Sequence, residues 1–192
     1  MTGKQVEDFA DRLLARLEQW HREEHRGPLA KLRRGLSETT RHEAWLVLGR
    51  LFGPIAVDHP VFSTVAACFA LHPSAKRPKV GNFGETMRRC MPADKMRDEK
   101  EPHARFRRLL ACDTQQEICR QIPHAVRLAK SRKEPVAVDY RRLFADLWWW
   151  GERTKVAWAK AYWRVPAEPE ASNLAKVGVP VGEEEEAIMP EP

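Results

Sequence analysis

No stretch of the 192-residue chain approaches the roughly twenty apolar residues that a membrane-spanning helix needs. The longest candidate, Val61 to Leu71, is about half that length and contains Ser63 and Thr64. Cysteine is sparse, and Cys68, Cys90, Cys112 and Cys119 show no close pairing in spacing, which points to reduced thiols in a cytosol. Glu7, Asp8 and Asp11 occupy the first turns, where a secretory leader would carry an apolar stretch, so a cytoplasmic location is expected. Phosphate-cradling glycine loops, a Walker-type lysine and a nuclease-like carboxylate cluster are all missing. Acids instead fall one or two per helix, which suits capping and surface pairing, and no catalytic residue is expected. No segment alternates with period two among β-branched residues, so strands are not predicted.

Positive charge is what the chain has in abundance. The whole sequence is +6, but residues from Pro166 to Pro192 hold seven acids against Lys176, a net of −6, so residues 1–165 carry +12. That last stretch also has five prolines, the run Glu183-Glu184-Glu185-Glu186 and no aromatic residue, a composition expected to stay disordered. It either shields the basic body or is a solvated end. About 165 residues remain, enough to bury roughly 70% of the surface their unfolded chain exposes. A body so basic attracts phosphate backbones through a long-range, salt-sensitive field.

Helical periodicity runs through that body. Val6, Phe9, Leu13, Leu17 and Trp20 recur at three- and four-residue steps and predict a helix from about Gln5 to Glu24, ended by Gly27-Pro28. A short basic helix from Pro28 to Gly35 follows, then Arg41 to Phe52, stopped by Gly53-Pro54. Val61 to His72 is nearly continuous in apolar residues and predicts a central buried helix. Lys76 to Val80 reads as a basic loop leading to a helix from Phe83 to Met91, and Pro92 to Pro102 as a boundary or mobile loop. Beyond it lie a helix from His103 to Cys112 and another started by the capping-box spacing of Thr114 to Glu117, with Pro123 expected to kink it. Asp139 caps a final helical stretch in which Leu143, Leu147, Trp150 and Trp158 point inward and Gly151 is a weak point. The expected architecture is all-α: an N-terminal helical subdomain (1–95), a C-terminal one (96–165) and the acidic tail (166–192).

Four arginine doublets punctuate these helices: Arg33-Arg34, Arg88-Arg89, Arg107-Arg108 and Arg141-Arg142. Each is flanked by apolar residues, so folding pins the guanidiniums instead of leaving them on a floppy tail, an arrangement that suits a polyanion held in one path. The competing reading is a solvated helix surface paired with nearby acids. Acids are sparse around Arg33-Arg34 and from Arg105 to Arg108, which favours phosphate contact there. Glu85, Asp94 and Asp98 can neutralise Arg88-Arg89. Arg127, Lys130, Arg132 and Lys133 form another basic stretch, with Arg127 and Lys130 on one helical face. His21, Glu24 and His25 spell H-x-x-E-H, but no further motif supplies a third ligand, so no metal or cofactor is expected. Cys68 and His72 read as core residues. The tryptophans from Trp148 to Trp163 have helical spacing and suit a core or subunit interface better than base stacking. Because Trp148-Trp149-Trp150 fan over some 200° of a helix, at least one ring must leave the core, as an assembly contact.

Three segments in order, GPLAKLRRGL, ARFRRLLACD and EPVAVDYRRLFADLWWWGERTKVAWAKAYW, resemble the small subunit of the type I-E CRISPR surveillance complex Cascade, the CasB family. The resemblance covers roughly residues 5–164. It implies an all-helical, non-catalytic subunit with two helical bundles, two copies of which lie head to tail beside the other Cascade subunits that coat the CRISPR RNA. It further implies basic surfaces that support the duplex of CRISPR RNA and target DNA and hold the displaced strand, while a separate helicase-nuclease cuts. The family's basic helix ends fall near Arg33, Arg34, Arg105, Arg108, Arg127 and Arg142; with Lys130 these are the expected nucleic-acid-binding residues. A free-standing helical DNA-binding regulator is the competing class. It calls for one recognition helix with base-reading polar residues, whereas here Asn and Gln are scarce beside the arginines and basicity spreads over at least four helices.

Overall fold

The computed structural model describes residues 2–73, 81–91 and 103–164, which form ten helices and no strand. In chain order these are α1 (Gly3–Arg22), α2 (Arg26–Arg34), α3 (Arg41–Phe52), α4 (Pro54–Asp58), α5 (Pro60–Leu71), α6 (Phe83–Arg89), α7 (Ala104–Leu110), α8 (Gln115–Lys130), α9 (Tyr140–Trp148) and α10 (Glu152–Trp163). The fold is all-α, as the periodicity requires. The basic loop read at 76–80, the boundary stretch 92–102 and the acidic tail 166–192 lie outside the described residues.

Helix α1 starts two residues earlier than its apolar pattern suggests, because Thr2 and Gln5 form a reciprocal capping box. Its stripe of Val6, Ala10, Leu13, Leu14 and Leu17 is buried, with Phe9 at the edge lying edge-on to Phe62 at 5.5 Å. The helix ends at Arg22, before Gly27-Pro28. Glu24, at φ 53°, turns the chain, and Gly27-Pro28 falls inside the first turn of α2. His21 and His25 are thus split between a helix end and the next N-cap, and the shared face that a zinc pair needs does not form.

Nine of the twelve residues of α5 are buried, and α1, α2, α3, α4, α8 and α9 all pack around it. A helix end enclosed this way needs partners for its last carbonyls. Tyr140 Oη shares its one proton between the carbonyls of Cys68 (3.0 Å) and His72 (2.8 Å), and Lys130 Nζ donates to that of Leu71 at 2.9 Å. The Tyr140 hydroxyl is held well above its ordinary pKa by its burial, so it stays a donor. All four cysteines are buried and free, and desolvation raises the thiol pKa at Cys68, Cys90, Cys112 and Cys119 alike.

The other packing centre is where α6 crosses α10. Gly84 sits so close to α10 that a Cβ there would lie 2.8–2.9 Å from the Trp158 carbonyl carbon and Cα. Asn82 fastens the crossing, capping α6 with its side-chain oxygen (3.3 Å to the Glu85 amide) and donating from Nδ2 to the Ala157 carbonyl at 2.9 Å. Buried side chains from both sides of residue 96 line one core.

Helix α8 runs from its Thr114–Glu117 capping box to Lys130 with Pro123 inside it. Two elements differ from expectation. Short α4 is additional: Gly53, at φ 71°, makes the corner, and Pro54 preorganises the next first turn. The final stretch is two helices. Gln115 Nε2 donates to the carbonyls of Leu147 (2.9 Å) and Trp148 (3.1 Å), ending α9, and α10 restarts after an extended Gly151. The break lets Trp150 and Trp158 pack face to edge at 5.0 Å.

Gly84→Ala tests the crossing. In an open helix this change stabilises by about 0.5–1 kcal/mol; against the Trp158 backbone it is expected to cost about 1–3 kcal/mol. A urea midpoint below that of the parent is the expected result, and an unchanged or higher midpoint refutes the close approach.

Candidate nucleic-acid interface

What a guanidinium can offer a phosphate depends on which of its donors the protein has already used. The fold uses most of the doublets internally. Arg88 and Arg89 both clasp Glu85, through Arg88 Nε and Nη2 (2.9 and 2.8 Å) and Arg89 Nε (3.0 Å). The hydrogen bond from Arg88, helped by Arg89 and opposed by partial burial, holds the Glu85 carboxyl down at about 2. Arg141 ties α9 to α1 by donating to Asp11 (2.9 and 3.2 Å) and Glu7 (3.2 Å). Arg142 Nε lies 2.9 Å from Asp146 Oδ1, one turn along α9. Asp146 is only 6% exposed, and its other oxygen accepts from Trp158 Nε1 at 2.7 Å. Burial pushes this carboxyl above its ordinary pKa, while Trp158 and Arg142 pull it back. Arg142 therefore balances a buried charge.

Arg34 is paired as well. The acids near it in sequence are few, but folding brings Glu43 of α3 within 2.9–3.1 Å of its Nη1. Lys130 is held by the α5 carbonyl of Leu71. Of the seven expected residues, Arg33, Arg105, Arg108 and Arg127 are exposed and carry no ion pair among the described residues.

Three of those four come together. Helix α7 buries Phe106 and Leu109, which turns Arg105 and Arg108 outward a single turn apart. Helix α8 buries Ile118, Ile122, Ala125, Val126 and Ala129 and leaves Arg120, His124 and Arg127 exposed at four- and three-residue steps. Between α7 and α8 runs a groove of about 550 Å³ lined by Arg105, Arg108, Gln121, His124, Arg127 and Ser131, and no carboxylate is among its described lining residues. His124 and Arg127 also border a second groove of about 550 Å³, which continues past Arg120 to Arg41 and Trp45. That extension does contain acids, Glu38 and Asp58, and Glu38 pairs with Arg41 at 3.5 Å. Arg120 and His124 escaped the sequence reading, which followed the denser basic run from Arg127 to Lys133. The missing signal was their spacing from Arg127 along one face.

A third groove, of about 910 Å³, lies where α1, α9 and α10 meet. It mixes Arg141, Arg142 and Arg153 with Glu7, Asp139 and Asp146, so its charge is largely neutralised locally. Trp149, 51% exposed, stands at its rim and is the ring of the triplet that leaves the core. Trp148 instead stacks on His59 at 3.7 Å, and Trp150 donates to the Cys112 carbonyl at 3.0 Å.

A family model described as CRISPR-associated protein Cse2 matches residues 28–163, a span that includes every side chain of the α7–α8 groove. No curated protein and no solved structure matches the chain.

Two measurements separate structural arginines from available ones. With its folded pKa raised, Asp146 favours the folded state below about pH 4 and weakens it as pH rises through that pKa. Arg142→Ala removes the compensation and is expected to cost about 1 kcal/mol at pH 7, discounted for the exposure of Arg142, with the loss shrinking toward pH 4. A pH-independent loss contradicts this pairing. Glu85 has the opposite sign: its pKa is lowered, so its contribution is present above about pH 4.5 and disappears as pH falls toward 2. Glu85→Gln is expected to flatten the acid limb of the stability curve, and an acid limb identical to the parent's refutes it.

Proposed function

The chain belongs to the Cse2 family of CRISPR-associated proteins, structural subunits of the Cascade complex in antiviral defence, and we propose that it stabilises the R-loop by gripping phosphates in the α7–α8 groove. The observation that carries this reading is the convergence of Arg105, Arg108 and Arg127 on one concave surface with no acid among its described lining residues. Replacing a duplex by a guide–target hybrid is nearly neutral in base-pairing energy, so contacts to the sugar-phosphate chain can tip the exchange. Such contacts are indifferent to sequence, which guide pairing already reads. Groove side chains that offer guanidiniums and a hydroxyl, with Gln121 the only amide, match that task better than base readout.

In this reading the partners are the CRISPR RNA, target DNA and the other Cascade subunits, with a second copy of the chain placed head to tail and Trp149 available as an assembly contact. Arg33, exposed at the end of α2, is a further phosphate contact. Arg34 and Arg142 contribute only if a phosphate displaces their carboxylates. The work takes place in the cytoplasm and involves no bond-breaking step. No described helix is long and apolar enough to cross a membrane.

The test is an assembled Cascade carrying Arg105→Gln, Arg108→Gln and Arg127→Gln. Each lost phosphate contact lowers the slope of log affinity against log salt by about 0.7–0.9, so the triple variant is expected to lose about 2 to 3 in slope for R-loop formation. An intact complex whose R-loops show the parental salt dependence refutes the assignment.

A further inference from the structure

We infer that the α7–α8 groove is also the docking site of the chain's own acidic segment, Glu183 to Glu186, which competes there with nucleic acid. The proposal rests on the phosphate-binding reading of the groove for its consequence, but not for the contact itself.

Three observations lead to it. First, the charges match. The groove presents Arg105, Arg108 and Arg127, none of them ion-paired among the described residues, while the segment from Pro166 onward carries seven acids against one lysine. The two grooves described beside it already hold acids, Glu38 and Asp58 in one and Glu7, Asp139 and Asp146 in the other. Of these three grooves, the α7–α8 one has no acid among its described lining residues. Second, the last described residues lie against α7. Helix α10 ends at Trp163, with Arg164 as its C-cap, and its last turn is stacked on α7: Tyr162 lies flat on Phe106 at 3.9 Å, and Trp163 meets Phe106 at 5.4 Å and His103 at 6.3 Å. Phe106 sits between Arg105 and Arg107, so the chain leaves the body next to the helix that supplies half of the groove. Third, the length suffices. Glu183 is nineteen residues beyond Arg164. Nineteen residues can reach at most about 65 Å when fully extended, well beyond the whole length of α8 at about 1.5 Å per residue.

Tethering turns a weak pairing into an effective competitor, because covalent linkage makes the second contact intramolecular and raises its local concentration. Four glutamates on three or four guanidiniums are screened strongly by salt. A stray single strand making few contacts is therefore excluded, whereas a guide–target hybrid held in register by the assembled complex displaces the segment. The device would keep the unassembled subunit from collecting nucleic acid at random.

The experiment uses the full-length chain labelled with nitrogen-15, compared with a variant in which Glu183, Glu184, Glu185 and Glu186 are all Gln. At about 50 mM salt the amide resonances of Gln121, His124, Leu128 and Ser131 are expected to differ between the two. The difference should vanish at about 0.5 M salt, where screening acts within a few ångströms. In an Arg105→Gln/Arg108→Gln background the two chains should give the same groove resonances. Groove amides that ignore the glutamates overturn the inference, as do differences that survive removal of the arginines. A labelled oligothymidylate of about twenty nucleotides then measures the competition: the Gln variant should bind about three to ten times tighter at low salt, and equal affinity overturns it. If the segment docks while the triple-arginine Cascade keeps its parental salt slope, the R-loop reading fails and this contact stands.

Discussion

An α-helix that is apolar on almost every side is stable in water only when other helices enclose it, and α5 is such a helix. Its requirement organises the molecule. Fully burying Phe62, Val65 and Phe69 is worth about 1.5–3 kcal/mol apiece, and α1, α2, α3, α4, α8 and α9 are arranged so that each covers part of it. The C-terminal end of α5 also leaves carbonyls without a partner in the helix. Tyr140 and Lys130 satisfy them from α9 and α8, which fixes both helices relative to the centre. Lys130, basic and exposed, thereby serves the core it borders.

The same logic sorts the arginines. A guanidinium beside a carboxylate has committed its donors, and folding, rather than sequence distance, decides which arginines meet one. Arg141 spans some 130 residues to reach Asp11, while Arg142 compensates a carboxylate that burial would otherwise leave uncompensated. Among the described residues, no carboxylate lines the groove into which Arg105 and Arg108 project. The groove is electropositive because pairing is incomplete there, not because arginine is denser there than elsewhere. The proposed function relies on this division of labour, since arginines that hold the helices together are not available to a phosphate.

Much of the fold was legible from spacing. The helices at 41–52 and from Pro60, the Thr114 capping box and the Asp139 cap each depend on residues within four positions of one another. The errors arose where the deciding feature was a remote partner or a local backbone conformation that residue type does not announce. The break between α9 and α10 is set by Gln115, over thirty residues away, and by the packing of Trp150 on Trp158. Helix α4 hangs on a single positive-φ glycine, and the end of α1 on Glu24 adopting the left-handed conformation that side chains disfavour.

For the candidate site, the sequence by itself determined the inventory. It set a +12 body with arginines pinned on helices, an acidic stretch at one end, and residue types suited to phosphate rather than to base edges, because charge and helical periodicity are local properties. Only the tertiary structure decided which arginines remain available. It paired Arg34 with Glu43 and Arg142 with Asp146, turned Lys130 to a carbonyl, and brought Arg105 and Arg108 across from His124 and Arg127. The physical reason is range. Helical spacing acts over one or two turns, whereas an ion pair or a groove is made between whichever surfaces the core has brought together.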